Sequence, residues 1–349
     1  MLDVTRADLS THTTLRLGGP ARQLVTAGDE AELVAAVRAA QPAVIIAGGS
    51  NVVIADDGVP ATVILVRSAG IELVRDSDHA LITVQAGQSW DDVVRFALAE
   101  GLAGIECLSG IPGSAGATPI QNVGAYGQEV AGTIERVRVF DRHTGTVVDL
   151  AAPECGFAYR HSVFKHNPRY VVLATTFRLG RSALSTPIRY AELARTLGLA
   201  AGDRAPLAEV RDAVLGLRRG KGMVLDPDDP DTCSVGSFFV NPVLDPAGFS
   251  TLDARCQATY GSAPAAWPAP DGSVKVSAAW LIERAGFGKG YHGGHTGVSI
   301  STKHTLALTN RGGGTTSALL DLAREIRDGV WHRFGVRLRP EPVLVNCAL

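Results

Sequence analysis

Residues 111–129 read IPGSAGATPIQNVGAYGQE, and the fold turns on how this run is taken. It carries four glycines and little helical period, and it lies between an amphipathic helical pattern and the strand-like TIERVRVFD. Glycines set close together let backbone N–H groups turn inward and approach an anion. Serine and threonine hydroxyls add donors. A second such run, AGGSNVVIAD over 47–56, continues from the apolar AVII. Together the two runs have what a pyrophosphate needs. Neither is a Rossmann GxGxxG, nor a Walker A loop with its GK[ST] ending. On glycine content alone, both could equally be loops that need positive φ, and the two readings stay open at this point.

The rest of the chain sets the bounds. Its 349 residues allow two or three domains at about 150 each. Hydrophobic residues make 46% and charged residues 19%, a composition that supports a large core. A net charge of -2 gives no strong field for nucleic acid or an acidic membrane surface, so neither is expected as a partner. No apolar run approaches the roughly 18 residues of a membrane span. The opening MLDVTRADLSTHTTLRLGG lacks the apolar core of a signal peptide. Cys107, Cys155, Cys233, Cys256 and Cys347 form no CxxC pair. They read as unpaired thiols of a reducing compartment, so a cytoplasmic protein with no metal site is expected. Glycine, at 39 residues, is the unusual count.

Hydrophobic period supplies the elements. ARQLVTA reads as a strand, and Asp29 opens a helix with Glu32 placed as in a capping box. AVII, ATVILV and ALITVQAG read as strands. In SWDDVVRFALAEGL, Trp90, Val93, Val94 and Ala97 share one face, with Ser89 as cap and Gly101 as stop. TIERVRVFD and GTVVDL form a hairpin, and RYVVLATTFRLG is another strand. A helix follows over PLAEVRDAVLGLRRGKG, where Arg218, Arg219 and Lys221 suit a C-terminus. VLDPDDPDTCS reads as a linker. Helices are expected near Gly248–Tyr260, over SAAWLIERAG and over TTSALLDLAREIRDGVWHRFG, with strands at HTLALTN and VRLRPEPVLV. Strands and helices mix without regular βαβ alternation, which favours α+β.

Several motifs occur in a fixed order: THTTLRLGGPA (11–21), GGSNVV (48–53), the 111–129 run, FAYRHSVFK (157–165), GSFFVNP (236–242) and LRPEPVL (338–344). In this order they resemble the UDP-N-acetylenolpyruvoylglucosamine reductase family, flavoenzymes of peptidoglycan precursor synthesis, over essentially the whole chain. The length and the loop near 262–270 resemble its longer class. The resemblance implies an FAD-binding fold of the vanillyl-alcohol-oxidase (PCMH) type with an additional α+β substrate-binding domain. The implied boundaries are 1–67 joined by 331–349 for the first FAD-binding subdomain, 68–225 for the second and 226–330 for the substrate domain. Non-covalent FAD would be held by Gly48, Gly49, Ser50, Asn51 and Val52. It would also be held by Ile111, Pro112, Gly113, Ser114, Gly116, Ala117, Gln121, Asn122, Gly124, Ala125 and Tyr126. The implied substrate is UDP-N-acetylglucosamine enolpyruvate, the reductant NADPH, and the working form a monomer.

The family's chemistry reduces an enolpyruvyl ether to a lactyl ether. Hydride arrives at the vinyl carbon, negative charge develops on its neighbour and spreads into the carboxylate, and a proton is then needed. The resemblance assigns Arg160 to the carboxylate, since its fork binds carboxylate bidentately and stays charged. It assigns Ser237 as proton donor, a weak acid that serves because the receiving carbon is strongly basic. Glu341 is the third catalytic match, with a raised pKa expected. Tyr159, Tyr190, Lys221 and Asn241 match substrate or nicotinamide contacts. Val240 stands where family members carry lysine. In SAPAAWPAP, Trp267 stands where the longer class has a loop tyrosine, and it is expected on a mobile loop over the uridine. Two other readings remain. One is a flavin oxidoreductase of the same superfamily acting on an alcohol or sugar, told apart by whether NADPH alone bleaches the flavin. The other is a non-catalytic flavin- or nucleotide-binding module, told apart by turnover.

Overall fold

The computed structural model describes residues 4–5, 7–40, 42–269 and 271–349. It divides into two compact units, 1–7 with 21–49 and 59–224, and 8–20 with 50–58 and 225–349. Both mix helix and sheet, as the α+β expectation required.

The first unit holds two sheets. In one, Ala21–Ala27, Val59–Val66 and Ala43–Ile46 run parallel, with Val4–Thr5 antiparallel on the edge. The helix Glu30–Ala39 starts where the sequence places it. The Asp29 carboxylate accepts from the Glu32 N–H at 2.8 Å, and the Glu32 carboxylate accepts from the Gly28 N–H at 2.8 Å, one residue further back than a standard box. The other sheet is antiparallel, in the order Thr146–Ala151, Ile134–Asp141, Tyr170–Arg181, His79–Gln85 and Ile71–Arg75. Its core takes in the helix Trp90–Ala99: Trp90 is fully buried, lies 5.5 Å from the Phe177 ring, and donates its indole N–H to the Leu108 carbonyl. Ser89 precedes that helix but makes no side-chain cap; the Trp90 N–H goes to the Gly113 carbonyl instead.

The second unit pairs Ser234–Ser237 with Ala307–Asn310 and that strand with Val298–Ile300, all antiparallel. Val52–Ile54 runs parallel to Val343–Val345. The helix Thr316–Phe334 buries Leu319, Leu322, Ile326 and Val330, the stripe its period predicts. Thr315 caps it, Gly335 at φ +70° ends it, and the Asp56 carboxylate accepts from the N–H groups of Thr316 and Ser317.

Three segments differ from the sequence reading. The proline- and aspartate-rich linker carries a 3-10 turn, Pro230–Thr232, and buries Asp231, which accepts from the Thr302 N–H and hydroxyl and pairs with Arg311 at 2.8 Å. VRLRPEPVLV is a strand only over Val343–Val345, because Pro340 and Pro342 cannot donate to a ladder. Trp267 stands on a strand, Ala266–Pro268, paired with Val274–Val276, rather than on a loop. The small residues around it hid a short hairpin edge. Pro270, at the end of that stretch, lies outside the described residues, as do 1–3, Arg6 and Gln41.

Candidate active site

In the first unit the two glycine runs meet. A Cβ placed on Gly48 would fall 2.6 Å from the Gly113 Cα, closer than any side chain tolerates. Gly49 and Gly113 have φ of +61° and +116°, so both also need glycine for conformation. This is bare backbone, as a bound pyrophosphate requires. The run then turns through Ser114 and a 3-10 segment, Ala115–Ala117. Its N–H groups there are spent inside the protein: Ala115 donates to Gln88 and Gly116 to Ala86. Gly116 is a packing glycine, since a Cβ would sit 2.5 Å from that of Ala86. The unit boundary falls after Gly49, so Ser50, Asn51 and Val52 belong to the second unit, where the Asn51 carbonyl accepts from the Val343 N–H at 3.0 Å.

Arg160 sits in a tight turn, Ala158–His161, closed by reciprocal backbone hydrogen bonds of 3.1 Å each. Its φ is +52°, left-handed backbone that a non-glycine residue adopts under constraint. The guanidinium stacks 5.3 Å over the Tyr159 ring and donates to the carbonyls of Gly124 at 2.8 Å and Asn122 at 3.4 Å. Asn122 and Tyr126 are left-handed as well, at φ +46° and +49°. Beyond them Tyr126 meets Tyr190 edge-on at 5.4 Å, and the Lys221 ammonium lies 5.7 Å from the Tyr126 ring. Burial pushes the Tyr126 hydroxyl up to about 12. Lys221 also pairs with Glu192 at 2.6 Å, and Tyr190 is 43% exposed. The expected residues Gln121, Asn122, Gly124, Ala125, Tyr126, Tyr159, Arg160, Tyr190 and Lys221 thus belong to one unit, and hydrogen bonds or ring contacts join most of them directly.

Two groups here escaped the sequence reading. Arg218, read as suiting a helix C-terminus, is partly buried, with its guanidinium beside Gly110. Burial draws its guanidinium down to about 10, and one Nη donates to the Met223 carbonyl while its Nε finds no partner among the described residues. Glu106 is fully buried and accepts from the N–H groups of Gly104 and Thr186 and from the Thr186 hydroxyl. Gln128 completes that network, accepting from the Cys107 N–H and donating to the Thr186 hydroxyl. No motif marks either group.

In the second unit Ser237 ends its strand opposite Ala307, after a bulge at Gly236, φ +74°. Phe238 and Phe239 are buried, their rings 5.1 Å apart, and the Phe238 N–H donates to the Leu306 carbonyl. They pin the backbone immediately after the serine. The Glu341 N–H donates to the Phe238 carbonyl at 2.8 Å, and Val240 donates to the Arg339 carbonyl. The segment 339–341 thus runs beside Phe238–Val240, joined by an isolated bridge between Phe239 and Pro340. The Asn241 side-chain oxygen accepts from the Ala278 N–H at 2.9 Å, tying it to the start of the helix Ala278–Arg284. Trp267 is half exposed, and the Lys275 ammonium lies 5.7 Å over its ring. Among the described residues no group of three or more His, Cys, Asp or Glu is placed to hold a metal, and no helix is long and apolar enough to cross a membrane.

Comparison with known proteins joins these observations. A model of an FAD-binding domain matches residues 21–151, the part of the chain that holds the glycine cradle, and agrees with the expected flavin-binding fold. A model of the C-terminal domain of UDP-N-acetylenolpyruvoylglucosamine reductase matches residues 228–345, which carry Ser237 and Glu341. The UDP-N-acetylenolpyruvoylglucosamine reductase of Salinispora arenicola is 60% identical over 347 residues, 98% of this chain and 95% of that protein. That of Thermobifida fusca is 54% identical over 348 residues, 98% of this chain and 97% of that protein. The crystal structure of the enzyme from Thermus caldophilus aligns over 99% of this chain and all of its own, with 25% identity and a TM-score of 0.66. From whole-length identity at this level, the chain belongs to the UDP-N-acetylenolpyruvoylglucosamine reductase family.

Proposed function

We propose that this chain reduces UDP-N-acetylglucosamine enolpyruvate to UDP-N-acetylmuramate, with NADPH as electron donor and FAD as mediator. What supports the reading is whole-length membership of the reductase family, with the Glu341 N–H bonded to the carbonyl of Phe238, the residue after Ser237. An unrelated flavin oxidoreductase has no need of that pair.

The backbone of Gly48, Gly49 and Gly113 would hold the pyrophosphate of FAD, which when bound and reduced supplies hydride for the vinyl carbon. Arg160 would take the substrate carboxylate on its fork, opposing the charge that develops there. Its planar group is already oriented by two carbonyls and one aromatic ring. Ser237 would hold the proton for the carbon beside the carboxylate and recover one from solvent after transfer. Glu341 would hydrogen-bond the carboxylate side of the intermediate. Tyr190, Lys221 and Asn241 are proposed contacts to the UDP-sugar or nicotinamide, and Trp267 a contact to the uridine. The proposed division is 1–67 with 331–349 and 68–225 for the cofactor, and 226–330 for the substrate, in a cytoplasmic monomer.

The test is anaerobic. NADPH should bleach the flavin of wild type and of Ser237→Ala alike, and the enolpyruvyl substrate should restore the colour of wild type only. Ser237→Cys should recover part of the rate. Reoxidation of Ser237→Ala at the wild-type rate would remove the serine from the chemistry and make Glu341 the next candidate acid.

A further inference from the structure

Two of the left-handed residues, Asn122 and Arg160, are tied to each other. Asn122 is 1% exposed, and both atoms of its side-chain amide are hydrogen-bonded. Its amide nitrogen donates to the Glu129 carboxylate at 2.8 Å and to the Ala158 carbonyl at 3.1 Å. Its amide oxygen accepts from the Ala131 N–H at 3.1 Å. With two acceptors on one side and a donor on the other, only this amide orientation satisfies every partner. The main-chain carbonyl of the same residue accepts from Arg160. Asn122 therefore fixes Arg160 from both ends. Ala158 begins the tight turn that carries Arg160, and the Asn122 carbonyl, with that of Gly124, holds the guanidinium itself. Asparagine tolerates the left-handed conformation better than most residues, which leaves its side chain free to serve the clasp.

We propose that Asn122, tied to Glu129, is a positioning residue for Arg160 rather than a side-chain ligand of the cofactor. The inference rests on Arg160 binding the substrate carboxylate as proposed above. A guanidinium on a strained two-residue turn has many alternative aims. Removing the clasp leaves the charge but spreads its direction, and misplacement of this kind lowers the rate of a step that depends on alignment.

The experiment uses the FAD-loaded protein and follows both half-reactions by stopped flow. Asn122→Asp keeps the acceptor for Ala131 but sets a carboxylate against Glu129. It should slow reoxidation by the enolpyruvyl substrate at least tenfold and lower the melting temperature, while reduction by NADPH and FAD content stay close to wild type. Adding Glu129→Gln to that variant restores a donor opposite the new carboxylate and should recover at least threefold. Glu129→Ala, at a more exposed side chain, guards against misfolding and should slow reoxidation at least threefold. In an Arg160→Lys background, Asn122→Asp should cost less than twofold more. The proposal is overturned if Asn122→Asp and Glu129→Ala reoxidise within twofold of wild type, if both half-reactions fall together with loss of FAD, or if the full loss persists in the Arg160→Lys background. Should Arg160→Lys itself reoxidise like wild type, the role given to Arg160 fails and takes the clasp's purpose with it. That outcome is distinct from a silent Asn122 beside a sensitive Arg160.

Discussion

Replacing Gly48 with alanine tests the cradle directly. The added Cβ would lie 2.6 Å from the Cα of Gly113 and 3.1 Å from its carbonyl carbon. Ordinary contact begins near 3.4 Å, so the two runs must part by most of an ångström. Both obstacles are backbone, and no rotamer can relieve them. Overpacking of this kind costs about 1–3 kcal/mol. If FAD binding depends on the closed pair, that cost appears as roughly a 5- to 150-fold loss of FAD affinity. The assay is titration of apoprotein with FAD by flavin fluorescence, beside the flavin-to-protein absorbance ratio after gel filtration. Gly216→Ala supplies the opposite sign. Gly216 lies on the exposed face of the helix Leu207–Gly220 with nothing within 4 Å of its added Cβ. It should gain about 0.5–1 kcal/mol, or roughly 1 °C, and leave FAD affinity unchanged. A Gly48→Ala protein that binds FAD within twofold of wild type would refute the assignment of these glycines to the cofactor.

Three further outcomes are expected. Arg160→Lys keeps charge but loses the fork, so reoxidation by substrate should slow at least about tenfold, near 1.4 kcal/mol, with flavin reduction little changed; equal loss in both would point to misfolding. Trp267→Ala should raise the substrate KM without affecting flavin reduction, and an unchanged KM would reject the uridine contact. The Arg169 guanidinium, bonded to both oxygens of Asp141, holds that carboxyl at about 2. A lowered folded pKa stabilises above the ordinary value near 3.9, and the contribution is lost as pH falls from there through about 2. The wild-type melting temperature should therefore drop more steeply over that window than that of Asp141→Asn, and parallel curves would count against the ion pair.

Much of the architecture was legible because its signals are local. The helix Thr316–Phe334 follows from a 3.6 period, a threonine cap and a terminal glycine, all within one stretch of chain. The strand Ile71–Arg75 was not legible. It is mostly exposed, and pairing with His79–Gln85 alone makes it a strand. The helix Ala191–Thr196 spans six residues, too short to form on its own, and exists because Leu193 and Ala194 are buried. The motifs named the family, and through it Arg160, Ser237 and Glu341. They gave no sign that the Arg218 Nε is buried, that Trp267 stands on a strand beside Lys275, or that Glu106 anchors Thr186.

The sequence by itself determined the long helices with their apolar faces, because period and caps depend on neighbours a few residues away, whereas the need for glycine at 48 comes from Gly113, distant in the chain. Tertiary structure alone decided that Asn122 reaches Ala158 and that Glu341 bonds to Phe238. Those partners lie far apart in the chain, and no local preference favours one distant partner over another. The choice falls to whichever closure buries the most apolar surface while leaving the fewest buried donors and acceptors unpaired.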